Sequence, residues 1–350
     1  MLTQRFKHFT YNHQNVMTML QWLTAEHAQL ISKPLLQSLL PLAERRGIAP
    51  AKLCKGTGIA VQQQRSSTHK ISAQDALLLS QRANQLIGDP QLWHLVAETM
   101  LSERLSPLVD VLLHAPTMAQ TLGYFVRHQE LLQPLQFSRS SRHQAFVQLH
   151  FLQRWGDSPS GLSLALLIAV GQQRGLAVEQ WRIGLPPEIT PLPIWQKWGL
   201  QSFASPLPVL QLPVQQLRVK LQQRQPERFQ QALWFCQLQD TTTPPSFLEA
   251  VFAWLQQRLH DGHMVTLEAL ASAMALSTSS CKRQFHKHGT SFQQQLDLVR
   301  LYQLLHLLQQ HPYNNHELAT RLGYSNSNNF RRACKRWLGI APDLVRAQLS

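Results

Sequence analysis

The sequence is short of cysteine and of acidic residues. Only four cysteines occur in 350 residues, and Cys54, Cys236, Cys281 and Cys334 lie far apart in the chain. This usage is typical of a reducing cytosol and predicts neither a disulfide framework nor a zinc site. Asp and Glu number 19 against 33 Lys and Arg, and the resulting net charge of +14 favours a polyanionic partner.

Long apolar runs are also missing. No run of eighteen or more apolar residues occurs, so the sequence predicts no transmembrane helix and no membrane partner. The first residues, with Gln4, Arg5, Lys7 and His8, lack the apolar core of a secretory signal. We therefore expect a cytoplasmic protein. At 44% hydrophobic and 15% charged residues, the chain has the composition and the length for two folded domains.

Motifs for catalysis and for metal binding are absent as well. We find no Walker loop, Gly-rich dinucleotide fingerprint or nucleophile elbow, so the sequence predicts neither an enzyme nor a cofactor. His260 and His263, and likewise His286 and His288, have ligand-like spacing, but no carboxylate or cysteine completes either pair. We expect no metal. For His286 and His288, which lie in a basic segment, a phosphate contact is the simpler interpretation.

The residue pattern changes at 241–246, a polar segment (TTTPPS) that contains two prolines and predicts a linker. Residues 1–30 form an extension without a chemical signal. Residues 31–240 predict an α+β domain with a helical first part. Residues 247–350 predict an all-α domain with short connections.

Within residues 31–240, apolar spacing and turn residues define the elements. The predicted elements are helices at 31–46, 72–86 and 162–170 and strands at 144–151, 178–185 and 207–217. Pro208 and Pro213 would place the last strand at a sheet edge. Trp195 and Trp198, together with Trp181, could line a pocket, but an ordinary role in the core is the favoured interpretation.

Within residues 247–350, a basic unit occurs twice. Leu270-Ala271 reappears 48 positions later as Leu318-Ala319, whereas Arg283 reappears 49 positions later as Arg332. The same longer step relates Phe285 and Lys287 to Cys334 and Arg336. Each copy predicts a short amphipathic helix, a tight turn and a basic helix, which is a helix-turn-helix unit. The extra residue of the second copy is expected inside its turn.

The predicted helices of this domain are 247–260, 266–275, 278–288, 291–310, 315–322, 327–337 and 342–349. Thr266, Ser277 and Ser325 stand where N-caps are expected. Small Ala271 and Ala319 allow two helices to cross closely. The helix at 291–310 links the two units; at 1.5 Å per residue its length is about 30 Å, close to the repeat of one turn of DNA.

The two basic helices present side chains suited to DNA. Positions three and four apart on a helix share one face, and Arg and Asn form bidentate contacts with guanine and adenine. The residues predicted to read bases are Ser279, Lys282 and Arg283 in the first unit, and Ser327, Asn328, Arg331 and Arg332 in the second. The residues predicted to bind phosphate are Lys287, Lys335 and Arg336.

Residues 248–349 resemble the DNA-binding domain of the AraC/XylS family of bacterial transcription regulators. The resemblance is carried by LEALA (267–271), KRQFHKHG (282–289), LATRLGY (318–324) and NFRRACKRWLGIAP (329–342). The family usually places Phe where this chain has Cys334. Because Cys is a small hydrophobe, this departure predicts a slightly looser core under the second basic helix.

The N-terminal domain resembles that of the ornithine-utilisation-regulator branch of the same family, which has an arabinose-binding type of domain. The stretches that carry the resemblance are 88–90, 106–108 and 115–122. It implies that residues 31–240 bind a small-molecule effector and dimerise. The implied function is sequence-specific regulation at a promoter, as an activator working with RNA polymerase. The alternative is an effector-independent or architectural DNA-binding protein, and the sequence identifies neither the effector nor its pocket.

Overall fold

The structure is a computed structural model. It describes Trp22, Thr24 and residues 28–31, 33–59, 70–131, 138–143, 146–151, 160–186, 190–220, 225–240, 245–310, 313–339 and 341–342. Five predicted features fall wholly or partly outside these residues. They are most of the extension at 1–30, residue 32 of the first helix, residues 144–145 of a strand, residues 241–244 of the linker and most of the helix at 342–349.

The first described elements form a small helical layer with a two-stranded ribbon. They are β1 (Ala28–Ile31), α1 (Lys33–Glu44), α2 (Pro50–Leu53), β2 (Lys70–Ser72) and α3 (Ala73–Ile87), and β1 pairs antiparallel with β2. Gly47 follows α1 with φ of +71°, a backbone conformation that suits glycine after a helix end. Ser72 caps α3, because its side chain accepts from the Asp75 N–H while the Asp75 carboxylate accepts from the Ser72 N–H.

Three further helices precede the main sheet: α4 (Leu92–Ser102), α5 (Pro107–His114) and α6 (Met118–His128). The remaining elements of this half are β3 (Ser138–His143), β4 (Phe146–Phe151), α7 (Ser160–Gln173), β5 (Arg182–Leu185), α8 (Pro193–Lys197), β6 (Gln201–Ala204), β7 (Val209–Pro213) and α9 (Pro226–Asp240). Ser106 and Thr117 cap α5 and α6 with their hydroxyl groups. The Arg174 guanidinium donates to the carbonyls of Leu112 and Ala115 and ties the end of α5 to α7.

The main sheet has the strand order β3-β4-β7-β5-β6. Only β5 and β6 run parallel, and the other neighbours are antiparallel. The prediction of an edge strand at 207–217 is wrong, because β7 pairs with β4 on one side and β5 on the other. Proline is tolerated there because Pro208 precedes the strand and Pro213 is its last residue, so neither interrupts the interior of the ladder.

Trp181 lies in the core of this half. It is fully buried, and its indole Nε1–H donates to Oε1 of Gln216 at 2.8 Å. A Cβ on Gly171 of α7 would come within 2.3 Å of the Trp181 ring, so only glycine lets helix and ring approach this closely. The favoured core role of Trp181 is therefore observed.

The second half is helical throughout the residues described. It comprises α10 (Phe247–His260), α11 (Leu267–Ala273), α12 (Thr278–Lys287), α13 (Phe292–Gln310), α14 (Asn315–Arg321) and α15 (Ser327–Leu338). An α+β part followed by a helical part with two helix-turn-helix units confirms the predicted fold class. Among the described residues, no helix is both long enough and apolar enough to cross a bilayer.

The sheet of the first half contacts the helices of the second. The His150 ring on β4 lies edge-on to the Tyr302 ring on α13, with centroids 5.6 Å apart. Leu207, which precedes β7, is fully buried in the same apolar cluster as Phe247 and Phe252 of α10. Burial and the neighbouring His306 lower the pKa of His150 to about 4, so the imidazole is neutral at this contact.

Candidate nucleic-acid interface

The first unit consists of α11, a turn and α12. The Thr266 hydroxyl accepts from the Ala269 N–H at 3.1 Å and begins α11, as predicted. Leu270 and Ala271 are buried. The Ser277 hydroxyl accepts from the Ser280 N–H at 3.1 Å and begins α12, so its predicted role as an N-cap is also observed.

The second unit repeats this plan with one difference at the cap. Asn314 begins α14 in a capping box with Glu317. However, Asn326 and not Ser325 caps α15, through an N–H of Asn329 at 2.8 Å from its side-chain oxygen. The prediction for Ser325 is wrong by one position, because Ser325 is itself the extra residue of the second turn: the caps Ser277 and Asn326 are 49 positions apart.

The two turns have equivalent backbones up to that extra residue. The Leu276 N–H donates to the Ala271 carbonyl at 2.8 Å, and the Tyr324 N–H donates to the Ala319 carbonyl at 2.9 Å. The residue before Leu276 and the residue before Tyr324 both have a left-handed backbone. In the second unit this residue is Gly323, with φ of +71°. In the first unit Ala275 adopts φ of +55°, which is strained for a residue with a Cβ.

The second helix of each unit is amphipathic, with an exposed polar face and a buried apolar face. Apart from Ser327, which is half-buried, the predicted base-reading residues are exposed: Ser279, Lys282, Arg283, Asn328, Arg331 and Arg332. Cys281 and Phe285 are buried on the opposite side of α12, as are Phe330 and Cys334 on α15. The exposed side chains on each helix therefore form one polar face, and their contact with bases remains a prediction.

The buried sides of α12 and α15 hold the same two residue types in reverse order. At a step of 49, Cys281 corresponds to Phe330 and Phe285 corresponds to Cys334, and all four are at most 1% exposed. The small Cys334 is thus accompanied by a large Phe330 one turn earlier. Burial raises the pKa of the Cys334 thiol to about 12, which keeps it in the unreactive protonated form.

The basic residues predicted to bind phosphate do not share one environment. Lys287 and Lys335 are exposed. Arg336 is also exposed, but its Nη2 lies 2.7 Å from Oδ2 of Asp297 on α13. His288 is buried, with Nδ1 2.8 Å from the Gln284 carbonyl oxygen, so the suggested phosphate contact of this histidine does not fit the structure.

Trp22 of the N-terminal extension contacts the first unit, which the sequence does not predict. The Trp22 Nε1–H donates to the Met274 carbonyl at the end of α11, at 3.4 Å, and its ring lies edge-on to Phe247 with centroids 5.0 Å apart. A tryptophan within a short apolar stretch, between Leu20 and Leu23, is the signal that could have suggested such an anchor.

The two tryptophans that could line a pocket with Trp181 lie in different environments. Trp195 is buried, and its indole Nε1–H meets no hydrogen-bond partner among the described residues. Trp198 lies edge-on to His94, with ring centroids 4.7 Å apart. Within the described ranges, no group of three or more His, Cys, Asp and Glu side chains could hold a metal ion.

Two helix-turn-helix units joined by one linking helix, next to an α+β domain, form the architecture of a DNA-binding transcription regulator. Two family models match this chain. One is a helix-turn-helix domain and matches residues 270–348. The other is the N-terminal arabinose-binding domain of the AraC transcription regulator and matches residues 47–185. Together the two matches support an AraC family transcriptional regulator with an N-terminal domain of the arabinose-binding type.

Individual relatives match parts of the chain. The transcriptional activator RhaS of Salmonella schwarzengrund (strain CVM19633) is 30% identical over 110 residues, which are 31% of this chain and 39% of RhaS. The ornithine utilization regulator of Pseudomonas aeruginosa is 36% identical over 85 residues, 24% of this chain and 25% of that protein. The chain thus spans about two fifths or less of these relatives. The crystal structure of the regulator CdpR from Pseudomonas aeruginosa is 18% identical and covers 92% of this chain and 100% of CdpR, with a TM-score of 0.44.

Proposed function

We propose that this protein is a sequence-specific regulator of transcription that reads two neighbouring segments of DNA major groove. The observation that carries the proposal is the pair of polar helix faces, on α12 and α15, held by one linking helix. Successive major-groove faces on one side of a duplex lie about 34 Å apart, and a domain with two such helix faces can read two of them.

Base recognition would reside in the exposed faces of the two helices. Arg283, Arg331 and Arg332 carry the forked donors that match guanine, and Asn328 suits adenine. Ser279, Lys282 and Ser327 complete these faces. Lys287 and Lys335 would contact phosphates and supply the salt dependence of binding. The sequence predicts the same role for Arg336, whose guanidinium pairs with Asp297 on α13.

Regulation would come from the N-terminal domain. Its arabinose-binding type supports a small-molecule effector, and the relative RhaS is named as a transcriptional activator. We propose that this protein is likewise an activator that works in the cytoplasm with RNA polymerase at a promoter. We also propose that it acts as a homodimer, with its effector changing the geometry of the two DNA-binding domains.

Selection of binding sites from random duplex DNA by the full chain tests this function. The expected result is an asymmetric site with two short motifs about one helical turn apart. An architectural protein would select no sequence, and this outcome would overturn the proposal. Adding candidate small molecules to the same selection then tests whether an effector changes the affinity.

A further inference from the structure

The second unit is held to the linking helix by two charged side chains of α13. Oδ2 of Asp297 accepts from Nη2 of Arg336 on α15 at 2.7 Å. Arg300 donates from Nε to the Leu322 carbonyl at 2.9 Å and from Nη2 to the Gly323 carbonyl at 3.1 Å. Asp297 and Arg300, which lie three residues apart on α13, therefore bind both the DNA-reading helix α15 and the loop that precedes it.

Both side chains have a fixed orientation. The Arg300 guanidinium lies over the Tyr324 ring, 4.3 Å from its centroid, so stacking and two hydrogen bonds define its plane. Leu322 is the C-cap of α14, where carbonyls lack intrahelical donors. Asp297 is held from its other side, because Nε2 of Gln293 donates to Oδ1 at 3.0 Å.

Apolar packing orients the second unit less than the first. Among the described residues, its own cluster holds six buried side chains, whereas the cluster that contains the first unit holds nineteen, and Trp337 and Leu338 of α15 pack against both. Hydrophobic contact is non-directional, but hydrogen bonds have defined angles and lengths. The contacts of Asp297 and Arg300 therefore add the directional component to the angle at which α15 crosses α13.

We propose that Asp297 and Arg300 are positioning residues that set the distance and angle between α12 and α15. They would thereby fix the spacing of the two DNA motifs that the protein recognises. This inference rests on the proposed function, since it concerns the same DNA-reading faces. In it, Arg336 serves as the partner of Asp297 and not as a phosphate ligand.

The test uses a series of duplexes and the full chain. The optimal site is the one selected by the wild-type protein, and the series inserts or removes one or two base pairs between its motifs. Asp297→Asn should reduce the preference for the optimal spacing about two- to fivefold, the range for an exposed ion pair. Arg300→Lys keeps the positive charge but loses the forked guanidinium that donates to two carbonyls. It should reduce the preference for the optimal spacing by about tenfold.

Asp261→Asn is the matched control. It removes the same charge from the same domain, at the exposed end of α10, where the carboxylate accepts only from Gln257 among the contacts described. Its spacing preference should equal that of the wild type. Duplexes with a single motif provide the second control, because positioning variants should bind them as the wild type does. Weakened binding to single-motif duplexes would mean that the variant damages the unit itself, and would contradict the positioning role.

Arg336→Ala separates the two roles of that arginine. A phosphate ligand would weaken binding equally at every spacing and lower the salt slope by about one. The positioning role predicts a flattened spacing preference with little change in the salt slope. Unchanged spacing preference in Asp297→Asn and Arg300→Lys would overturn the inference alone. Failure of the wild type to select any two-motif site would instead overturn the proposed function.

Discussion

The two helix-turn-helix units follow one plan but are stabilised by different parts of the chain. The first belongs to an apolar cluster that also includes Leu207 of the N-terminal half and residues of α10 and α13. The second has its own small cluster formed by α13, α14 and α15, and Trp337 and Leu338 of α15 pack against both clusters. Because the first unit shares its core with the N-terminal half of the molecule, it is the unit whose packing a change in that half would reach directly.

One pair of equivalent atoms shows the difference most clearly. The carbonyls of Met274 and Leu322 occupy the same position at the ends of α11 and α14, 48 residues apart. Met274 accepts from Trp22 of the N-terminal extension, whereas Leu322 accepts from Arg300 of α13. The same unsatisfied helix end is thus completed by a distant segment in one unit and by the linking helix in the other.

The largest expected effect is the removal of the large buried ring from each unit. Phe330→Ala and Phe285→Ala should each cost about 3–5 kcal/mol of local stability. Because the second cluster holds far fewer buried side chains than the first, Phe330→Ala should unfold residues 313–339 and leave 247–289 protected. Phe285→Ala should instead weaken protection across α10, α11, α12 and α13.

Amide hydrogen exchange of the full chain, followed by mass spectrometry, distinguishes these two patterns. A loss of protection that spreads equally through both units in both variants would show that they share one cooperative core. The proposed separation of the two clusters would then be wrong.

Several features of these units could be predicted from the sequence because they depend on local spacing. The repeat step, the helix positions and the caps Thr266 and Ser277 follow from hydrophobic period and capping chemistry. Cys334 was predicted to loosen the core. The structure shows that the position one turn earlier must be considered with it, because Phe330 takes the place of the small Cys281.

Other features could not be predicted, because they join residues distant in sequence. The contact between Trp22 and Met274 spans 252 positions, and no local pattern indicates it. The pairing of Asp297 with Arg336 likewise depends on how α13 and α15 cross, so a basic residue on a basic helix suggested phosphate instead. The central position of β7 was missed because two prolines predict an edge only when they interrupt the strand.

The second prediction compares the DNA-reading roles of equivalent arginines. Arg283→Ala and Arg332→Ala should each cost about 1–3 kcal/mol at the selected site, with little change in non-specific binding. Each should relax specificity only at the motif read by its own unit. Binding to a panel of duplexes with single base changes measures this. Uniform weakening across unrelated sequences would mean that the substituted arginine contacts phosphate.

The third prediction concerns pH and the contact between His150 of the N-terminal half and Tyr302 of α13. In the unfolded chain His150 should titrate near 6.5, whereas burial lowers its pKa in the folded protein to about 4. The unfolded chain therefore binds more protons between these values, so folding stability is full above about pH 6.5 and falls as the pH decreases. Between pH 7 and pH 5 the loss from this group should be about 2 kcal/mol.

Urea unfolding at the two pH values measures this loss, and His150→Gln is the control that removes the titrating group. The variant should show a smaller difference between pH 7 and pH 5. Burial also lowers the pKa of His306, so a residual dependence of the same sign should persist. An identical pH dependence in the wild type and the variant would exclude His150 as its source.

The smallest expected effect lies at the two turns. Ala275→Gly should stabilise the first unit by about 1 kcal/mol, because glycine adopts the left-handed backbone without the steric cost of a Cβ. Gly323→Ala should destabilise the second unit by at least as much, since its Cβ would also come within 3.0 Å of Leu259. Hydrogen exchange of each unit in the two single variants tests the pair. If Ala275→Gly lowered the stability of the first unit, the alanine methyl group would be making packing contacts that outweigh the strain, and the two turns would not be equivalent.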